Sequence, residues 1–261
     1  MENRIQLACM SALWGFLPLP SEQVTVWLDD VQNAGFDGIA TFDSDLLAAM
    51  EKADLEAKLL DRHLKLASVD FILTEDFDFL KTVCTAMQQL GGKYLVAIGG
   101  LAKPDADMNK VADLLNKIGD QTLLYDIRTC FHNHTNTIAE TFEEYDQLLQ
   151  RTDPDKVAGF LDVGHATKDF VGYPVATRAQ LFLEKYWRRI EFLEFKDWSE
   201  KHDLCTEVGA GLCDWDGIFT QLNKGAYCGW ITVEQNGPMG DRPIRDSAAA
   251  SSHFIRRGLS L

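Results

Sequence analysis

Residues 157–165 read Val157-Ala-Gly-Phe-Leu-Asp162-Val-Gly-His165: a short apolar run that closes on a carboxylate and, three positions later, an imidazole. A run without polar alternation suits a parallel strand covered on both faces. Seven more such runs are legible, at 5–10, 38–42, 65–71, 94–99, 129–134, 190–196 and 230–235. Between them lie longer amphipathic stretches at 21–35, 45–63, 76–90, 105–125, 141–151, 174–188, 214–224 and 243–257. The first starts at Ser21, carries Val24, Trp27, Leu28 and Val31 at helical spacing and stops at Gly35, a glycine at the end where helices favour one. Eight strands, each followed by a helix, predict an α/β chain folded as a (β/α)8 TIM barrel. An open doubly wound sheet would alternate in the same way. However, no G-x-G-x-x-G follows the first strand, and Gly209-Ala-Gly211 precedes no matching strand–helix unit. No Pro- or Ser-rich linker divides the 261 residues, a length that barrels of ~250 residues fill as one unit. A single domain over 1–261 is expected.

Composition narrows the partners. Lys and Arg number 25 against 40 Asp and Glu, for a formal net charge of −15. That balance disfavours nucleic acid, whose phosphates are bound through cationic side chains, and equally an anionic membrane surface. No apolar run approaches the ~20 residues a spanning helix needs, and MENRIQLACM at the start lacks the basic region and apolar core of a signal peptide. A soluble, cytoplasmic protein is expected, and a homo-oligomer is compatible with it. Of the six cysteines (9, 84, 130, 205, 213 and 228) none forms a C-x-x-C pair, and His202 with Cys205 has no second pair at finger spacing. All six are expected to be reduced and structural.

Function concentrates at strand ends, because in a barrel the active site lies at the C-terminal face of the strands. The fifth run ends Cys-Phe-His132-Asn133-His134, the sixth Leu-Asp162-Val-Gly-His165, the seventh Leu-Glu194-Phe-Lys196-Asp197 and the eighth Thr-Val-Glu234-Gln235. The first four strands end with far less: Asp43, Asp70 and the pair Gly99-Gly100. A single Asp or His at a strand end is ordinarily a turn or cap residue. Four ionisable ends on consecutive strands point to a site, since charges inside apolar strands are costly unless paired or bound to metal. His132, Asp162, Glu194 and Glu234 offer one imidazole and three carboxylates, a donor set suited to one divalent ion (Mn²⁺, Mg²⁺ or Co²⁺, with Zn²⁺ an option). An ion holding a carbonyl and its neighbouring hydroxyl acidifies the carbon-bound proton, and a carboxylate beside it serves as general base. Trp14, after the first strand, could wall a pocket or simply pack. His63, His202 and His253 read as solvated, Glu140, Glu143 and Glu144 as an exposed helix face, and Trp187, Trp215 and Trp230 as packing residues.

At these residues the chain resembles the sugar phosphate isomerase/epimerase family, the xylose-isomerase-like barrels. Ala34-Gly-Phe-Asp-Gly38, Asp162-Val-Gly-His165, Phe195-Lys-Asp197, Val208-Gly-Ala-Gly211 and Tyr227-Cys-Gly-Trp-Ile-Thr-Val-Glu234 follow the family's short motifs in order over nearly the whole chain. The wording of the fifth and eighth strands is closest to the inosose dehydratase branch. The resemblance implies a divalent metal at the ends of strands five to eight, held by Glu, Asp, His and Glu in chain order. Here Asp162 and Glu234 match directly, while His132 and Glu194 stand exchanged, so the donor inventory and its charge are unchanged. The family's two proton-shuttling glutamates are reduced to Glu234, opposed by His132, and a metal-bound imidazole is a poor base. Either Glu194 or His134 then supplies the second proton transfer, or His132 is not a ligand. Lys196 could stabilise an oxyanion or assist a leaving hydroxyl, and His165 could touch substrate hydroxyls.

The expected activity is therefore a metal-dependent sugar isomerase or epimerase acting on a small polyhydroxylated carbonyl compound through an enediolate. An inosose-type dehydratase, a lyase sharing the first step, is the alternative, and a catalytically silent barrel acting as a binding subunit is the rival from a different class. No Gly-rich turn with a basic cluster marks the last two loops for a phosphorylated substrate, and the family's DNA-repair endonucleases need a cationic surface that this chain lacks.

Overall fold

The computed structural model describes residues 4–15, 19–99 and 107–261. Eight parallel strands close into a barrel: β1 (Ile5–Met10), β2 (Gly38–Phe42), β3 (Lys65–Ile72), β4 (Tyr94–Ile98), β5 (Arg128–His132), β6 (Val157–Asp162), β7 (Ile190–Phe195) and β10 (Gly229–Val233), in ring order β1-β10-β7-β6-β5-β4-β3-β2. The TIM barrel expected from the alternation is thus observed, with strand bounds shifted by a residue or two. Two short antiparallel strands, β8 (Asp197–Ser199) and β9 (Asp203–Thr206), form a hairpin directly after β7, which the alternating pattern did not foretell.

The helices follow the amphipathic stretches, with two departures. The stretch 45–63 is two helices, α2 (Asp43–Ala53) and α3 (Leu55–Asp61), divided at Asp54, whose left-handed φ of 49° breaks the ladder. A further short helix, α7 (Val163–Asp169), starts at once on the end of β6. The others are α1 (Ser21–Asn33), α4 (Phe77–Gln89), α5 (Met108–Thr122), α6 (Phe142–Arg151), α8 (Arg178–Lys185), α9 (Trp215–Lys224) and α10 (Ile244–Leu259). Asp76, Asp107 and Asp214 cap α4, α5 and α9, and Thr141 with Glu144 closes a capping box on α6. Glu144 is thereby a cap rather than part of a free helix face. Phe16, Gly100 and the first two residues of the 105–125 stretch lie outside the described residues. No helix among those described is long and apolar enough to cross a membrane.

Two cores result. A large one joins the outer faces of the strands to the helices, and a small one, which includes Ala8, Ala67, Val96, Cys130, Ala158 and Phe192, fills the barrel interior. The larger side chains there are Phe160 and Phe192, which stack at 5.4 Å, and Tyr94 and Trp230, which pack against the cluster. All six cysteines are free, with Cys9, Cys84 and Cys130 buried. Two β-bulges decide which side chains reach the mouth. In β3 the register with β2 steps from Ile39↔Leu66 to Ala40↔Ser68, passing over Ala67. In β7 the register with β6 steps from Gly159↔Ile190 to Phe160↔Phe192, passing over Glu191. One extra residue reverses the side-chain parity of everything after it. Val69, Phe71 and Leu193 consequently join the outer core, and Asp70 and Glu194 turn inward. β3 and β7 stand opposite each other in the ring.

Candidate active site

Four consecutive strands deliver the expected group. His132 closes β5, Asp162 closes β6, Glu194 lies on β7 and Glu234 follows β10, all at most 6 % exposed. Hydrogen bonds from residues beside them hold the ends of β5 and β6. Asn133 clamps the neighbouring strand end, donating its Nδ2 to the Asp162 carbonyl (3.0 Å) and accepting the Asp162 N–H on Oδ1 (2.9 Å). Asp162 caps α7, its Oδ1 accepting the His165 N–H at 2.9 Å, so the spacing Asp162-Val-Gly-His165 is that of a helix N-terminus. Gly164 is required by close approach, since a Cβ there would lie 2.8 Å from both Cβ and Cγ of Lys196. Gly164→Ala is therefore expected to displace Lys196 and to destabilise the fold by about 1–3 kcal/mol through overpacking, measured by thermal denaturation.

The electrostatics point to a cation. His132 Nδ1 lies 2.7 Å from the Asn133 carbonyl; a carbonyl only accepts, so the proton is on Nδ1 and Nε2 carries a lone pair. That lone pair faces Glu194 Oε1 at 3.4 Å and Asp162 Oδ2 at 3.7 Å. All three atoms are buried and have no hydrogen-bond partner. Three converging acceptors without a donor are unfavourable by themselves, and they suit a divalent ion with mixed nitrogen and oxygen ligands. His132, Asp162 and Glu194 form one group of such donors within 4.8 Å of one another, and Asp70, His132 and Glu234 form a second. Asp70 is the residue that sequence reasoning passed over; its only signal was a carboxylate inside the apolar run Ser68-Val-Asp70-Phe-Ile.

Lys196 balances the carboxylates. Its Nζ lies 2.9 Å from Glu234 Oε1 and 4.0 Å from Asp162 Oδ2. Burial favours the neutral lysine, but the carboxylates of Glu234, Asp162 and Glu194 outweigh it and hold the ammonium above its usual range. Burial likewise pushes Glu234 upward, yet Lys196 brings its carboxyl down to about 2. Glu194, pushed up by burial and by the charges of Glu234 and Asp162, lies well above the usual carboxylate range. Burial raises Asp162 to about 6 against the pull of Lys196, and lowers His132 to about 3, with His134 adding to the effect.

His165 and His134 flank this group, their rings 4.1 Å apart. His165 Nε2 is 3.7 Å from Asp162 Oδ2, while its Nδ1 meets Thr135 Oγ1 (2.9 Å), which in turn donates to Asp169 Oδ2 (2.6 Å). His134 Nδ1 donates to the Thr135 carbonyl at 2.8 Å, leaving its Nε2 free to accept. Trp14 is placed differently: half-buried after β1, it donates its indole N–H to Asp30 Oδ2 of α1 at 3.2 Å.

Asp197, next to Lys196, has a separate task. Its buried carboxylate accepts the backbone N–H of Gly209, Gly211 (both 3.0 Å) and Cys213 (3.3 Å) and the Trp215 indole N–H (2.7 Å). A Cβ at Gly211 would lie 2.1 Å from Asp197 Oδ1, so the paired glycines and this aspartate form one device that pins the loop ahead of α9. Asp197→Ala leaves several donors dry and is expected to cost about 3 kcal/mol, a melting temperature lower by roughly 6–12 °C; Asp197→Asn, which keeps an acceptor, should lose less.

Comparison with known proteins agrees with this architecture. An inosose dehydratase of Lacticaseibacillus casei is 26% identical over 234 residues, covering 74% of this chain and 76% of that protein. Among solved structures, the IolI protein crystallised with a bound zinc atom superposes with a TM-score of 0.76 at 17% identity, covering 98% of each chain. An L-ribulose 3-epimerase gives a TM-score of 0.76 at 16% identity, covering 98% of this chain and 95% of that one. Residues 28–257 match the family model described as xylose isomerase-like TIM barrel, and with eight parallel strands closed around an inward-facing His and carboxylate cluster, the chain belongs to that family.

Proposed function

We propose that this chain is a metal-dependent enzyme that takes a proton α to the carbonyl of a small polyhydroxylated ketone and then expels a β-hydroxyl as water, an inosose-type dehydration. The observation that carries the reading is the Lys196–Glu234 ion pair at 2.9 Å beside the buried acceptors of His132, Asp162 and Glu194. It keeps that carboxylate ionised in a buried site, and as Lys196 turns to the substrate oxygen Glu234 becomes the stronger base that proton abstraction needs. The inosose dehydratase of Lacticaseibacillus casei, whose alignment spans 74% of the chain, favours dehydration over the isomerisation or epimerisation that shares its first step.

His132, Asp162 and Glu194 would hold the ion, with Glu234 at its edge; bound there, a divalent ion polarises the carbonyl and the adjacent hydroxyl of the substrate. Glu234 takes the α-proton. Lys196, released from full engagement with Glu234 once that carboxylate is neutralised, stabilises the developing enediolate oxygen. His134 and His165 offer free Nε2 atoms to substrate hydroxyls.

Two measurements test this. Elemental analysis of the purified protein is expected to find near-stoichiometric Mn, Co, Mg or Zn. Incubation with inososes and ketoses in D2O is expected to give deuterium at the α-carbon and loss of water from an inosose. Deuterium incorporation with ketose isomerisation and no water loss would move the activity to the isomerase ending. Neither metal nor exchange would leave a barrel that only binds.

A further inference from the structure

We infer that Asp70 is the second proton-transfer group of this site, the acid that delivers a proton to the departing hydroxyl from the wall opposite Glu194; the inference rests on the dehydration reading above. On β5 the side chain that faces the site is the His132 imidazole, already part of the ion-holding group, and not a carboxyl. β3 replaces what β5 lacks. The bulge at Ala67 turns Asp70 inward, and an oxygen of its carboxyl lies within 4.8 Å of both a His132 nitrogen and a Glu234 oxygen. It thus reaches the base from outside the four-strand sector that carries the other donors.

The environment of Asp70 is unlike that of a structural aspartate. Asp43, buried at the end of β2, accepts the N–H of Ser44 and of Ile72, and Asp197 accepts several donors, as described above. Asp70 is 2% exposed and its Oδ2 has no hydrogen-bond partner at all. A buried carboxyl oxygen left without a partner costs about 1–3 kcal/mol, a penalty that a packing role does not explain and a substrate hydroxyl would relieve. The other groups that could serve are committed elsewhere. Lys196 is paired with Glu234 at 2.9 Å. Glu194 and the His132 lone pair face each other in the ion-holding group, and His134 gives its ring proton to the Thr135 carbonyl.

Glu234 accepts the α-proton, and the C–H electron pair becomes part of the enediolate. That pair returns to form the carbon–carbon double bond as the β C–O bond breaks, and the Asp70 carboxyl proton passes to the leaving oxygen, which departs as water. Glu234 is then protonated and Asp70 ionised, and exchange with solvent restores both.

The test is Asp70→Asn with bound metal, using an inosose in D2O and following deuterium at the α-carbon and water loss separately. Expected are a metal content and melting temperature close to wild type, α-exchange within about threefold of wild type and water loss at least about 100-fold slower. Asp70→Glu, which keeps an acid, should recover at least about tenfold of the lost elimination. Undiminished water loss in Asp70→Asn would overturn the assignment. Loss of metal would make Asp70 a ligand, and equal loss of exchange and elimination would place it at the first step; either overturns it as well. Failure of the underlying reading is seen separately, as absence of exchange or of water loss in the wild-type protein.

Discussion

Glu234→Gln is expected to lower turnover and α-proton exchange together by about 10³-fold, because both need the same carboxylate to accept the proton. The substitution preserves shape, so the barrel should still close, but it leaves Lys196 buried with Asp162 at 4.0 Å as its nearest remaining carboxylate. Removing one partner of a buried ion pair costs about 3–5 kcal/mol. Activity and stability should therefore fall at once, and a second variant separates them. In Glu234→Gln/Lys196→Met the uncompensated ammonium is gone, and thermal denaturation should show most of the stability restored while exchange stays absent. A single Glu234→Gln protein with wild-type turnover would remove Glu234 as the base.

Asp162→Asn is expected to reduce metal affinity by more than about 100-fold, exceeding what loss of an outer-shell partner produces. Asparagine can still accept the His165 N–H that Asp162 Oδ1 now takes at 2.9 Å, so the cap on α7 survives and the fold is retained. Asp162→Ala loses the cap as well and should be about 1 kcal/mol less stable than Asp162→Asn. Elemental analysis of the two variants beside thermal denaturation distinguishes the charge of Asp162 from its capping oxygen. Tight stoichiometric metal in both would place the ion elsewhere, leaving Asp70, His132 and Glu234 as the alternative group.

Much of the barrel and of its site is legible in the amino-acid sequence. Periodicity identified eight strands in order, and strand-end polarity singled out His132, Asp162, Glu194 and Glu234, which the structure brings into one buried group together with Lys196 and flanks with His134 and His165. Trp14 was equally plain as a large side chain near the mouth, but its indole N–H is directed to Asp30, a partner 16 positions away that no local pattern announces. The hairpin β8–β9 was hidden for a similar reason: its residues carry no apolar alternation, and it forms against the end of β7 rather than within the barrel.

Asp70 marks the boundary between the two sources. The amino-acid order determined that the chain alternates strand and helix, that polar groups gather where strands end, and that the donors are carboxylates and imidazoles. It determined these because hydrophobic period, capping chemistry and ligand type are local properties of the chain. Only the tertiary structure decided which side chains face the mouth and what they meet there. A bulge at Ala67 reverses the parity of β3 and another at Glu191 reverses that of β7, and a bulge exists only relative to the strand it is paired with. Barrel closure then sets β3 opposite β7, bringing Asp70 to the site from a sequence position far from every other donor. Lys196 owes its place to the same cause, since the ion pair that keeps Glu234 ionised is made across neighbouring strands and not along the chain.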